Sequence, residues 1–176
     1  VDVVIVGVKS WQLPEAARAM RPLVGPETAV LPLLNGVEAA DQLAAALEPG
    51  RILGGLCRIV ASVEGPGHIR HSGMEPSLAL GELDSRPSER VQRLYSALIE
   101  AGVRAEIAPD IQVALWEKFM LISTWGGIGA VTRAPIGDWR SLPGTRAMAE
   151  AALREVFALA HACGVSVAEG TVTTTM

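Results

Sequence analysis

The sequence is poor in the residues that build metal sites and disulfide frameworks. It has two cysteines and three histidines among 176 residues. Cys57 and Cys163 lie far apart and form no C-x-x-C motif, so we expect reduced, buried thiols rather than a disulfide or a zinc site. The histidines show no metal-ligand spacing either. The composition therefore predicts a protein without a metal centre.

Basic clusters and uninterrupted apolar segments are also lacking. The formal net charge is -4 and the lysines and arginines form no cluster, which argues against nucleic-acid binding. The longest apolar segment, residues 111–131, contains Glu117 and Lys118, and a charge near the centre of a membrane-spanning helix costs about 2.5–3.5 kcal/mol. The N-terminus lacks the positively charged segment of a secretory signal. We expect a cytoplasmic protein that binds neither nucleic acid nor membrane.

The first part of the sequence alternates apolar strands with helices. The opening apolar run is typical of a buried parallel strand, and Pro14 with Glu15 predicts the start of a helix. A second strand and helix follow, which indicates parallel crossovers in an α/β domain. A hairpin or meander comes next, so we expect a mixed sheet. The predicted strands are residues 1–8, 29–34, 51–63, 68–71, 77–83 and 103–107, and the predicted helices are residues 13–23, 38–47 and 87–101.

The rest of the chain is predicted to be helical. Asp110 is a suitable N-cap for an apolar helix from residue 111, in which three glycines, Gly126, Gly127 and Gly129, either cause an interruption or permit close helix packing. A second helix is predicted over residues 145–163, ending at Gly164. Its predicted core face consists of Met148, Ala152, Val156, Leu159 and Cys163. We expect residues 1–109 to form one domain and residues 110–176 to belong to another.

Three short motifs hold the candidate functional side chains. Lys9, in V-K-S-W-Q, and Asn35, in L-N-G-V, follow predicted strands, at the end where an open α/β sheet binds ligands. Lys118, in L-W-E-K-F, lies among apolar residues, where a fully solvated lysine is less expected. Each has a structural alternative: a lysine that leaves a strand for solvent, a turn asparagine before Gly36, and a lysine whose stem covers apolar surface.

Taken in order, V-K-S-W-Q, N-G-V, G-H-I-R-H-S-G and L-W-E-K-F resemble the ketopantoate reductase family, the 2-dehydropantoate 2-reductases and their paralogues. The resemblance covers essentially the whole chain. It implies a Rossmann domain that binds NADPH, a helical C-terminal domain and a substrate between them. The family's G-x-G-x-x-G turn, which holds the pyrophosphate, does not occur in this sequence. We therefore expect an internal fragment, with the second part of a Rossmann-type domain (a mixed sheet) followed by the start of an all-helical domain.

The resemblance also implies roles for individual residues. Lys118 resembles the catalytic lysine, which polarises the keto oxygen of the substrate and donates the proton. Asn35 resembles an asparagine that contacts both cofactor and substrate. Lys9 resembles a lysine near the phosphoribose of the cofactor and the substrate cleft. Glu117 points elsewhere on the helix and is expected to be structural.

One departure from the family pattern concerns the substrate. Ile122 and Gly126 stand at substrate-binding positions that are asparagines in the pantoate-forming enzymes. Neither residue can form the hydrogen bonds of an amide with the hydroxyl and carboxylate of ketopantoate. Either Ser123 and Thr124 substitute for the asparagines, or the substrate is not ketopantoate.

The leading hypothesis is an NADPH-dependent reductase of a small 2-keto acid of the ketopantoate type, with Lys118 as the proton donor. A related NAD-dependent dehydrogenase of a 3-hydroxy acid is a second hypothesis. The third is a catalytically inactive association module that binds no cofactor. The resemblance places further strands upstream of this sequence, and without them one sheet edge is exposed. An exposed edge predicts self-association, as a dimer.

Overall fold

The computed structural model describes all residues, 1–176, and the chain divides into two compact units. Unit 1 comprises Val1–Ile111 and unit 2 comprises Gln112–Met176. No helix combines the length and the apolar character needed to cross a bilayer. Unit 1 contains β1 (Val3–Val6), α1 (Leu13–Met20), β2 (Ala29–Pro32), α2 (Ala39–Ala46), β3 (Gly54–Gly65), β4 (His68–Gly81), α3 (Glu89–Glu100) and β5 (Ala105–Ile107). The helices α4 (Ile111–Thr132), α5 (Ile136–Ser141), α6 (Pro143–Ala162) and α7 (Gly170–Thr175) follow.

The strands of unit 1 form a parallel pair, β1 and β2, and a mixed three-stranded sheet of β3, β4 and β5, so the mixed pairing is as predicted. In the parallel pair Val6 lies opposite Pro32, and an isolated parallel bridge joins Val30 of β2 to Ile52, two residues before β3. β3 and β4 are antiparallel, and β4 pairs in parallel with β5. The α/β class with a Rossmann-like sheet, followed by a helical part, is confirmed.

Helices cover both faces of the parallel strands. Successive side chains of a strand point to opposite faces, so neighbouring residues of β2 pack against different helices. On one face, Val30 packs in a core cluster with residues of α1 and α2 such as Leu13 and Leu43. On the other face, the next residue, Leu31, packs with Leu80 of β4 and with α3. The all-apolar run of β2 is therefore buried on both sides, as a central parallel strand requires.

The hairpin of β3 and β4 differs from the prediction. Two separate strands were expected over residues 68–71 and 77–83, but β4 is one strand from His68 to Gly81. The register shifts between Arg58 and Val60, and Gly73 adopts a φ of 78° that is accessible to glycine without strain. The pairing with β3 skips residues 73–76 of β4, from Ser77 to Ser72, so the two predicted segments are joined into one strand by an irregular, bulged stretch.

An ion-pair network fixes the start of α3. Arg90 donates through Nη2 to Glu82 Oε2 at 2.5 Å and through Nη1 to the carbonyl of Gly50 at 2.6 Å. Ser88, the N-cap of α3, accepts from the amide of Val91 and donates to Glu82 Oε1 at 2.6 Å. Burial raises the pKa of Glu82, but the hydrogen bonds from Arg90 and Ser88 and the Arg90 charge outweigh it and hold that pKa below its ordinary value.

The glycines of α4 neither break the helix nor bring another element close, so both expectations for them are wrong. α4 runs without interruption to Thr132. A Cβ at Gly126 or Gly127 would meet no atom within 4 Å, and one at Gly129 would meet only the carbonyl oxygen of Ala134, at 4.0 Å, which belongs to no other helix. Each helical glycine costs about 1 kcal/mol relative to alanine. The buried apolar residues on either side, such as Met120 and Ile128, hold the helix together in spite of that cost.

The core face of α6 is displaced from the predicted one. The buried residues are Ala149, Leu153 and Ala160, whereas two predicted core residues, Met148 and Leu159, are 50% and 51% exposed. The expectation of a buried thiol at position 163 is also wrong, since that cysteine is exposed. The predicted face lies beside the buried one on the helix, because Met148 and Ala152 directly precede the buried Ala149 and Leu153, one step of about 100° away.

Two short helices of unit 2, α5 and α7, were not predicted. α7 consists largely of threonine, which has a low helix propensity. Its stability comes from packing, because Thr171 and Val172 are buried and Trp125 donates its indole N–H to the carbonyl of Thr175 at 3.2 Å. α5 buries Trp139 in the same way.

Candidate functional site

The first candidate position follows the carboxyl end of β1. The backbone there folds into a short 3-10 turn, in which the amide of Gln12 donates to the carbonyl of Lys9 at 2.9 Å. The Gln12 side chain closes the turn by accepting from the amide of Lys9 at 3.0 Å. These bonds fix the backbone of Lys9, while its side chain is exposed.

The second candidate position follows the carboxyl end of the neighbouring strand, β2. Asn35 is exposed, and Gly36 has a φ of 108°, which an L side chain rarely adopts. β1 and β2 are parallel with Val6 opposite Pro32, so Asn35 and Lys9 each lie three residues beyond the same edge of the sheet. This edge is where open α/β sheets bind ligands.

An ammonium and an amide at this edge suit an anionic, hydrogen-bonding ligand such as a dinucleotide. The ammonium of Lys9 is chemically suited to a phosphate, and the amide of Asn35 has both donors and an acceptor. The phosphate-cradling G-x-G-x-x-G loop is not part of this sequence. The residues present therefore fit one portion of a nicotinamide cofactor.

The third candidate position is Lys118 on α4. Its side chain is half-buried, in the same helix as buried Trp116, whose ring meets Phe119 edge-on at a centroid distance of 5.7 Å. The preceding residue, Glu117, accepts a hydrogen bond from the Thr171 hydroxyl of α7 at 3.2 Å. Glu117 therefore ties two helices of unit 2 together, which is the structural role expected for it.

Ile122 and Gly126 share the Lys118 side of α4 because they follow at intervals of four residues. Ile122 is half-buried and Gly126 is exposed. The structure thus groups Lys9 with Asn35 in unit 1, and Lys118 with Ile122 and Gly126 in unit 2. The first two motifs of the sequence thus lie in unit 1, and the third lies in unit 2.

Two further features of the surface carry no comparable chemistry. No group of three or more histidine, cysteine, aspartate or glutamate side chains is arranged to hold a metal ion. A groove lies at the opposite, amino ends of β1 and β2. Its charged lining residues balance, so it does not favour an anionic ligand; they are Asp2, Glu27, Glu100, Arg51, Arg90 and Arg93.

Two family models match consecutive parts of the chain. The model described as "Ketopantoate reductase PanE/ApbA" matches residues 1–85, and the model "Ketopantoate reductase PanE/ApbA C terminal" matches residues 110–176. Together they cover the sheet edge with Lys9 and Asn35 and the helix with Lys118. Both halves therefore point to the same family.

Individual relatives agree with this assignment. The chain is 30% identical to the uncharacterized oxidoreductase YkpB of Bacillus subtilis, over 93% of this chain and 54% of the relative. It is 28% identical to a 2-dehydropantoate 2-reductase of Mesorhizobium japonicum, over 93% of this chain and 56% of the relative. The chain thus spans about half the length of the curated relatives it matches.

Solved structures give the same result for the fold. The crystal structure of 2-dehydropantoate 2-reductase from Geobacter metallireducens GS-15 has 29% sequence identity and a TM-score of 0.90, covering 99% of this chain and 58% of that one. The similarity extends over both units. On these matches, the chain belongs to the ketopantoate reductase family.

Proposed function

We propose that the protein containing this chain reduces a small 2-keto acid to the 2-hydroxy acid, with NADPH as the hydride donor and Lys118 as the proton donor. The observation that carries the proposal is a half-buried lysine on α4, in a chain whose two halves match the two halves of the ketopantoate reductase family. The relatives named 2-dehydropantoate 2-reductase support the same class of substrate.

The chemistry suits a lysine ammonium. Reduction of a ketone places negative charge on the carbonyl oxygen, and an ammonium at that oxygen stabilises the charge and then transfers a proton to give the hydroxyl. The resulting amine regains its proton from water. The nicotinamide cofactor supplies the hydride when it is bound. Partial burial of Lys118 strengthens its electrostatic effect, because fewer water molecules screen the charge.

Lys9 and Asn35 serve the cofactor and the substrate in this proposal. Both side chains are exposed at the carboxyl edge of the parallel strands, so they are available to a ligand. The ammonium of Lys9 complements a phosphate or a carboxylate, and the amide of Asn35 donates and accepts hydrogen bonds. The positive φ of Gly36 sets the turn that exposes Asn35.

The test uses the protein encoded by the whole reading frame around residues 1–176. Oxidation of NADPH and of NADH is followed with a panel of 2-keto acids, in the native protein and in Lys118→Ala. We expect kcat to fall by about 10²–10⁴-fold, the usual contribution of a positioned acid, while NADPH still binds. Arg146→Ala, at an exposed position of α6, is the control for the loss of a surface cation.

Three results would lead elsewhere. A Lys118→Ala variant within threefold of native kcat would remove Lys118 from the mechanism. Oxidation of 3-hydroxy acids with NAD, without reduction of any 2-keto acid, would favour the related dehydrogenase. A folded protein that binds neither NADPH nor NADH would favour the third hypothesis, a catalytically inactive association module.

A further inference from the structure

Beyond Lys118, the side of α4 that carries Lys118, Ile122 and Gly126 offers a substrate few hydrogen bonds. Ile122 and Gly126 lie about 6 and 12 Å along the helix axis from Lys118, on the same side. Ile122 presents only hydrocarbon, and Gly126 is exposed. A Cβ at Gly126 would meet no atom within 4 Å. Along the helix, this side therefore changes from cationic to apolar and then to open.

The two nearby hydroxyls do not replace the asparagines of the pantoate-forming enzymes. The Ser123 hydroxyl donates to the carbonyl of Phe119 in its own helix at 2.6 Å. Thr124 is 3% exposed and lies two residues, or about 200°, round the helix from Ile122. It therefore shares the buried side of α4 with Met120, away from Lys118. Of the two alternatives that the sequence left open, the geometry favours a different substrate.

We infer that Ile122 and Gly126 select a 2-keto acid whose side chain is apolar and bulky, and discriminate against a hydroxylated one. The inference rests on the reductase function proposed above. A hydroxyl moved from water to a position against Ile122 loses its hydrogen bond without a replacement. A methyl or phenyl group there gains contact with hydrocarbon, and the open space at Gly126 accommodates its length.

The experiment compares two keto acids that differ in a single group. Ketopantoate carries a terminal hydroxyl, and 3,3-dimethyl-2-oxopentanoate carries a methyl in the same place. For the native whole protein, we expect kcat/KM to be at least tenfold higher for the methyl compound. The phenyl compound 3-phenyl-2-oxopropanoate is expected to be turned over as well.

Variants then assign the preference to the named residues. Ile122→Asn should shift the kcat/KM ratio by at least tenfold towards ketopantoate, because the amide can hydrogen-bond the hydroxyl. Gly126→Leu should lower kcat/KM for the phenyl compound by at least tenfold, and by a larger factor than for the short substrate 2-oxobutanoate. Ser123→Ala is the control, and its ratio should equal the native one. Circular dichroism checks that each variant is folded.

The outcomes separate this inference from the reductase proposal. If the native protein prefers ketopantoate, or if Ser123→Ala shifts the ratio as much as Ile122→Asn, the assignment of Ile122 and Gly126 is overturned while the reductase function stands. If a folded, cofactor-binding protein reduces no 2-keto acid at all, the reductase proposal itself fails. A preference for the methyl compound that Ile122→Asn leaves unchanged also overturns the inference.

Discussion

Gly55→Ala should destabilise unit 1, because β3 passes β2 too closely to admit a side chain at this position. A Cβ at Gly55 would lie 2.5 Å from Leu31 Cδ1 and 2.8 Å from the carbonyl oxygen of Pro32. Leu31 is completely buried, and the carbonyl is backbone, so neither can move aside easily. Overpacking of this kind costs about 1–3 kcal/mol. With roughly 2–4 °C per kcal/mol for a chain of this size, we expect the Tm to fall by about 5 °C.

The control for this experiment lies in the same strand. Gly65 ends β3, and a Cβ there would meet no atom within 4 Å. Gly65→Ala should therefore be neutral or stabilising by about 0.4–1 kcal/mol, since alanine reduces the conformational freedom of the unfolded chain. Urea unfolding followed by circular dichroism measures both variants. Equal stabilities for Gly55→Ala and Gly65→Ala would refute the close approach of β3 to β2.

Two further predictions concern buried polar groups. Arg90→Met should lower the free energy of unfolding by about 2 kcal/mol at pH 7, because it removes charged hydrogen bonds to a carboxylate that is only 12% exposed; Arg154→Met, which breaks an exposed pair, should cost under about 0.5 kcal/mol. The pKa of Glu82 is lowered in the folded state, so its contribution to stability is present above its unfolded pKa and is lost as the pH falls through the folded pKa. The difference in free energy of unfolding between the native protein and Arg90→Met, measured in urea, should therefore shrink in acid. A difference that stays constant with pH would contradict this. Thr124→Val should raise the free energy of unfolding by about 1 kcal/mol, because its hydroxyl is buried without a hydrogen-bond partner; a loss of stability in thermal unfolding would show that the hydroxyl is satisfied.

Features that depend on short stretches of chain were predicted well. α3 lies within two residues of its predicted bounds, with Ser88 as a side-chain cap at the start and Gly102, at a φ of 76°, after the end. Proline and acidic residues marked the start of α1, and apolar runs marked β1 and β2. These signals are local, because capping and turn conformations involve backbone groups within a few residues. The order of the motifs was enough to indicate the family.

Features that depend on contacts between distant residues were predicted poorly. The buried stripe of α6 is made of Ala149, Leu153 and Ala160, and only the neighbouring helices determine which side of an alanine-rich helix is covered. α7 is helical in spite of its threonines, because Thr171 contacts Glu117 and Trp125 reaches the end of that helix. Tertiary packing routinely overrides such weak intrinsic preferences.

The fold class, the family and the candidate residues Lys9, Asn35 and Lys118 could be inferred from the sequence alone, because apolar runs, helix ends and motif order are properties of neighbouring residues. The roles of Ser123 and Thr124 could not. Both are hydroxyl residues close to Lys118 in sequence, but one bonds its own helix and the other is buried on the opposite side. Which side of α4 is buried, and which hydrogen bond a hydroxyl on it forms, depend on the residues that pack around the helix. That environment exists only in the folded protein.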